Sequence, residues 1–170
     1  MVLLLNLSVR SVNAQTVQGI EPDEILNSSK RPMYNIRGGL VKDDRSHQIV
    51  GDFYGDGIKG DRPGVSVIRD KKKNTIGYLV NTKRIEGKRW VEEQEFTVQA
   101  VNHDEIGYIA SSSRNVFTIE DTDHLIVGYI KFNTVTDKSD KIIGYIGNEV
   151  MNAPPRAAVL LFFYKLFTQQ

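Results

Sequence analysis

Apolar and polar residues alternate along most of this chain in short runs broken by charged turns, and one phrase of that alternation recurs. A β-branched residue, a glycine, a tyrosine or aspartate and a second apolar residue stand together five times. The copies are Val50-Gly51-Asp52-Phe53, Ile76-Gly77-Tyr78-Leu79, Ile106-Gly107-Tyr108-Ile109, Val127-Gly128-Tyr129-Ile130 and Ile143-Gly144-Tyr145-Ile146. A two-residue period is the mark of a half-buried strand, and internal repetition of this kind decides the architecture ahead of any other feature.

The phrase has a fixed preface. Seven residues before each glycine stand Asp44, Asp70, Ala100, Asp121 and Asp137, and four before it stand His47, Lys73, His103, His124 and Asp140. An Asp opening a type I turn, with a left-handed residue three places later, is the three-residue hairpin loop with a bulge. The carboxylate suits the first position because it accepts bonds from amides further along the turn. His and Asp tolerate positive φ better than most residues. Five hairpins are therefore predicted. In the first, Lys42 stands where the others carry a β-branched residue, so a shifted bulge or a wider turn is expected, with Asp43 opening it in place of Asp44.

This loop implies a register with Ile68 opposite Ile76, Val98 opposite Ile106, Ile119 opposite Val127 and Val135 opposite Ile143, cross-strand pairs that stabilise one face. The Ile/Val and the Tyr should share a face, with the glycine and the next apolar residue on the other. Both faces are then apolar at the base. The predicted fold is all-β, with five hairpins standing as petals about a pseudo-axis, tips outward. The glycine would sit where a neighbouring backbone or ring comes close. The repeated Asp-x6-(Ile/Val)-Gly-Tyr-Ile, after a leader-like segment and before an apolar tail, resembles the bacterial five-fold β-flower proteins over about Met33 to Phe167. Ala100, Asp52 and the unequal spacing of the glycines (26, 30, 21 and 16 residues) depart from the pattern. The resemblance implies the fold and is silent on chemistry.

Four segments lie outside the strict repeat. Residues 1–14 read as a secretory leader, with apolar Val2 to Val9 and a small-residue Val12-Asn13-Ala14 signal before Gln15. Residues 15–32 carry Pro22 and Pro32 and no period, which predicts an extended arm ahead of a hairpin domain over 33–149. The longest glycine spacing holds Lys83 to Trp90, where Arg84, Arg89 and the chain's only Trp, Trp90, form the candidate binding patch for a glycan or peptide. Residues 150–170 hold Ala157 to Phe167, apolar nearly all round. After Pro154-Pro155 that predicts a buried helix on the base, with a last strand as the alternative.

Composition narrows the chemistry. At 170 residues the chain holds one domain's core. A formal charge of +1 gives no global field to recruit nucleic acid. Without cysteine there is no thiol nucleophile and no disulfide. The turn aspartates recur by structural period, and no P-loop, dinucleotide fingerprint or local triad is legible. The three histidines share one turn position, which the left-handed role explains without a metal. Asp52 to Asp61 matches a calcium loop only in part, with Tyr54 and Pro63 at ligand positions. The expectation is an exported, non-catalytic envelope module without cofactor and with no membrane span in the mature chain. Its partner would be an envelope component, a glycan or a peptide; the alternative is a hydrolase acting on glycan or peptide.

Overall fold

The computed structural model describes residues 19–56, 64–84, 94–113, 115–147 and 154–163. The chain is all-β, with one helical segment at its end. Strands β1 (Glu24–Asn27), β2 (Pro32–Arg37), β3 (Leu40–Asp43) and β4 (Ile49–Asp56) lead into β5 (Gly64–Asp70) and β6 (Thr75–Arg84). Then follow β7 (Gln94–Ala100), β8 (Glu105–Ser113), β9 (Val116–Glu120), β10 (Ile126–Lys131), β11 (Thr134–Asp137) and β12 (Ile142–Ile146). Each strand pairs antiparallel with the next, and β12 pairs back onto β1 to close a twelve-stranded barrel.

The hairpins thus join edge to edge in one continuous wall, where the sequence had predicted separate petals. Separate hairpins would leave ten unpaired edges, each a row of unsatisfied N–H and C=O groups. Closure removes all of them. The closing strand comes from the stretch expected to be an arm, through Ile25↔Ile146 and Leu26↔Tyr145.

That strand also belongs to a sixth copy of the repeat. Asn27 opens its turn, Lys30 takes the left-handed position at φ 58°, and Met33-Tyr34-Asn35-Ile36 stands where the other copies have Ile-Gly-Tyr-Ile. Tyr34 replaces the glycine and Asn35 replaces the tyrosine. The left-handed turn residue is common to all six copies. His47, Lys73, His103, His124 and Asp140 have φ between 55° and 68°. Asp70 Oδ1 accepts the Lys72 and Asn74 amides, and Asp121 and Asp137 repeat the pattern. Asn27 Oδ1 does the same for Ser29 and Arg31. The first predicted turn is the wider one, closed by Asp43 N–H to the Gln48 carbonyl.

The predicted register is one residue off. Ile68 lies opposite Gly77, Val98 opposite Gly107, Ile119 opposite Gly128 and Val135 opposite Gly144. The reason is a bulge in every hairpin. Arg69 pairs with Thr75 while Ile68 pairs with Gly77, so Ile76 has no opposite number. The extra residue is Met33, Val50, Ile76, Ile106, Val127 or Ile143 in turn. These side chains pack against the core and do not form the cross-strand pairs.

The interior is layered. One ring comes from the odd-numbered strands, namely Ile25, Val41, Ile68, Val98, Ile119 and Val135, all fully buried. A second comes from the even-numbered strands, with Ile36, Phe53, Leu79, Ile109, Ile130 and Ile146. Eight strands make a barrel that its own side chains can fill, and twelve make a wider one. The added space takes helix α1 (Pro154–Ala158), which continues as a π-helical turn over Val159–Phe163. Ala157, Ala158, Val159 and Leu160 are buried within the core.

The glycines make room for that segment. A Cβ on Gly107 would lie 2.5 Å from the Glu120 carbonyl oxygen and collide with the Phe163 ring. One on Gly128 would meet the Thr136 carbonyl at 2.5 Å and Phe162 Cζ at 2.8 Å. These glycines are small because strand backbone and helix side chains both crowd them.

Candidate functional site

The outer wall carries the other half of the repeat. The even-numbered strands present their motif residues outward, and most of these lie beside the left-handed residue of the next hairpin's turn. Tyr78 on β6 stacks on His103, with centroids 4.5 Å apart and planes 14° apart. Tyr108 on β8 stacks on His124 at 4.2 Å and 16°. Its hydroxyl donates to Glu105 Oε2 at 2.5 Å, and that bond, with burial and nearby carboxylate charge, raises the phenol pKa.

Three junctions use charge instead. Tyr129 lies under Lys131 Nζ, 4.6 Å from the ring centroid, and Lys131 also reaches Asp140 Oδ1 at 2.6 Å. Tyr145 lies under Lys30 at 5.5 Å. On β4 the motif tyrosine is Asp52, and the turn residue it faces is correspondingly Lys73. Asp52 is 3% exposed, ion-paired with Lys73, and held bidentately by Arg69 through Nε at 2.6 Å and Nη2 at 3.1 Å. Burial opposes the charge on Asp52, but the bonds and charges of Arg69 and Lys73 outweigh it, so its pKa lies below the ordinary value. These partners give Asp52 a structural role at this junction.

The sixth junction, between β2 and the β3–β4 turn, stands open. Asn35 holds the motif position there, and it is too short to reach a ring onto His47. A cavity of about 530 Å³ lies between them. Its apolar wall is Leu40 and Ile49. Arg37 and Lys42 contribute two cations, Asp23 and Asp44 two carboxylates, and His47 its imidazole. Arg37 and Lys42 make no ion pair among the described residues, and the His47 ring has no stacking partner of the kind His103 and His124 have.

The volume lies in the ~300–1,000 Å³ range usual for small-ligand sites, and the mixture of an apolar wall with a few convergent polar groups is the usual lining. Its chemistry is that of binding. It offers guanidinium and ammonium donors for an anionic or carbonyl oxygen, carboxylates for a donor, and one flat face. Alternation explains the convergence. Asn35 and Arg37 are two apart on β2, Leu40 and Lys42 two apart on β3, and Lys42 pairs with Asn35 and Ile49.

Of the candidate patch read from the sequence, only Arg84 is among the described residues. Arg84 ends β6 opposite Gln94, and Arg89 and Trp90 lie outside the described residues, as do residues 1–18 and most of the calcium-like loop. The three histidines are not brought together, since each stays on its own turn. Sequence reasoning missed the cavity because it missed the sixth copy. The legible signal was the spacing of Asn27, Lys30 and Met33-Tyr34-Asn35-Ile36, which keeps the seven- and four-residue offsets with Tyr34 in the glycine's place. The chain matches no family model, no curated protein and no solved structure.

Proposed function

We propose that the protein is a non-catalytic ligand-binding module of the bacterial envelope, and that it binds at the cavity between Asn35 and His47. The carrying observation is that, among the described residues, five of six junctions built on one plan carry a ring stack, cation–π contact or ion pair, while this one holds a pocket facing Arg37 and Lys42, which make no ion pair there. Cations that make no ion pair beside a pocket with an apolar wall are groups suited to orienting a ligand. The leader-like residues 1–14 support export. The β-flower resemblance is compatible with this role and adds no chemistry.

A panel of glycans, peptides and small aromatic compounds, applied to the full chain, tests the reading. Binding should fall at least tenfold in Arg37→Ala or Lys42→Ala and persist in Trp90→Ala. The reverse pattern would move the site to the Lys83–Trp90 excursion.

A further inference from the structure

We infer that the cavity between β2 and the β3–β4 turn accepts a phenol ring from outside the chain, stacked on His47 as Tyr78 stacks on His103. The inference rests on the binding reading above and specifies its ligand. It follows from the repeat itself. At the two other junctions whose turn residue is histidine, a tyrosine lies flat on the imidazole at 4.2–4.5 Å and 14–16°. His47 sits at the equivalent position with the same left-handed backbone, φ 55° against 68° and 58°. What differs is the ring-bearing residue. Tyr34 and Asn35 stand where other copies have glycine and tyrosine, so this copy's ring points into the core, 5% exposed.

The outer face therefore keeps the receptor half of a Tyr–His contact and lacks the donor half. The remaining lining suits a phenol better than a plain hydrocarbon ring. Leu40 and Ile49 offer apolar contact, and Asn35 and Lys42 offer amide and ammonium donors to a phenolic oxygen. The two carboxylates and two cations balance, which favours an uncharged or zwitterionic ligand over a multiply charged one. A free phenolic compound and the tyrosine of a peptide share this chemistry.

The test uses histidine ring-proton NMR on the full chain, which has only three histidines. Aromatic stacking moves ring protons upfield. Without ligand, His103 and His124 should already be shifted and His47 should not. On titration with p-cresol or N-acetyl-tyrosinamide, the His47 signals should move upfield and saturate, with His103 and His124 fixed as internal references. Equal response to both probes identifies a free phenol as sufficient. Response to N-acetyl-tyrosinamide alone identifies a tyrosine residue as the ligand. Cyclohexylmethanol should shift nothing.

In Asn35→Tyr the chain supplies its own ring, so His47 should be shifted before any probe is added and the titration should vanish. Asn35→Phe provides the same test should the phenol be poorly accommodated, and unchanged His103 and His124 signals report that either variant has folded. No movement of His47 with either probe at millimolar concentration overturns the phenol inference. If a non-aromatic compound from the panel then moves His47, the binding reading stands alone; if nothing moves it and the Arg37 and Lys42 variants bind the panel like wild type, both fall.

Discussion

Two arcs of the barrel treat the same repeat differently. Along β8, β10 and β12 the rule is kept, with Gly107, Gly128 and Gly144 inward beneath Phe163, Phe162 and Leu161. Tyr108 and Tyr145 lie outward against the next turn, and Tyr129 lies under Lys131, which reaches that turn at Asp140. Along β2 and β4 it is broken. Tyr34 points inward where a glycine would be, Asn35 and Asp52 hold the outward positions, and the intervening turn is wider. The helix aromatics meet the first arc, and on the second the wall supplies Tyr34 and Phe53, the latter beneath Arg156 at 5.9 Å. A near-sixfold wall is thus filled by an asymmetric plug. Exchanging a glycine–tyrosine pair for tyrosine–asparagine moves one ring from outside to inside and leaves a hollow behind it.

The largest effect comes from removing the plug. A chain stopped after Asn152 loses Val159 to Phe163, and each large apolar side chain contributes about 1.5–3 kcal/mol on burial. The sum is comparable to the ~5–15 kcal/mol stability of a whole domain. That chain should bind a hydrophobic dye and lose its cooperative melt. A wild-type melting curve would show that the wall stands without it.

Reciprocal changes on the two arcs sharpen the contrast. Tyr34→Ala should cost about 3–5 kcal/mol, the range for emptying an aromatic core site. Gly107→Val should cost about 1–3 kcal/mol or more by overpacking, against the sign that strand propensity gives. Denaturant midpoints decide both, and a gain in stability for Gly107→Val would mean the Phe163 contact is absent in solution.

Asp52 should give the second arc a pH dependence. Its folded pKa is depressed, so its contribution is complete above the unfolded value near 3.9 and is lost as pH falls through the folded value. Asp52→Asn should flatten the acid limb of the stability curve. At neutral pH it should cost about 1.5 kcal/mol, the low end for bonds to charged groups, because Lys73 stays half exposed. An unchanged acid limb would assign that limb to the turn aspartates.

The smallest effects lie in the turns. His103→Gly should be neutral in backbone terms and lose only the stack on Tyr78. His103→Val should cost a further ~1–2 kcal/mol, because a β-branched residue resists the left-handed conformation. Equal melting temperatures for the two variants would show that φ at this position relaxes.

The legible part of the molecule was local. Asp at the turn start and His, Lys or Asp at the left-handed place were readable because each residue type does its work within five residues. Asp43 as the opener of the first turn was readable from the misplaced Lys42, although Lys42 fitted a shifted bulge as well as a wider turn. Register was not, because a bulge adds one residue without changing composition: Ile76 reads as a paired strand residue whether or not it is the extra one. Closure was not, because β1 and β12 meet across more than a hundred residues and nothing at either strand marks the other. The cavity was hidden for a further reason. A missing side chain is visible only against the copies that have it, and this copy lacked the glycine by which copies were found.

The β1–β12 seam also sets an order of assembly. Each hairpin can form as soon as its own twenty or so residues are free, since its contacts are local. The ring cannot shut until Ile146 is available to Ile25, and the plug, which follows β12 in the chain, is the last piece to arrive. Until then the nascent wall has two raw edges and an unfilled apolar interior, the combination that invites strands from other molecules. Closing so long a loop is slow compared with forming hairpins. The dangerous interval in the life of this protein is therefore the one between its eleventh strand and its helix.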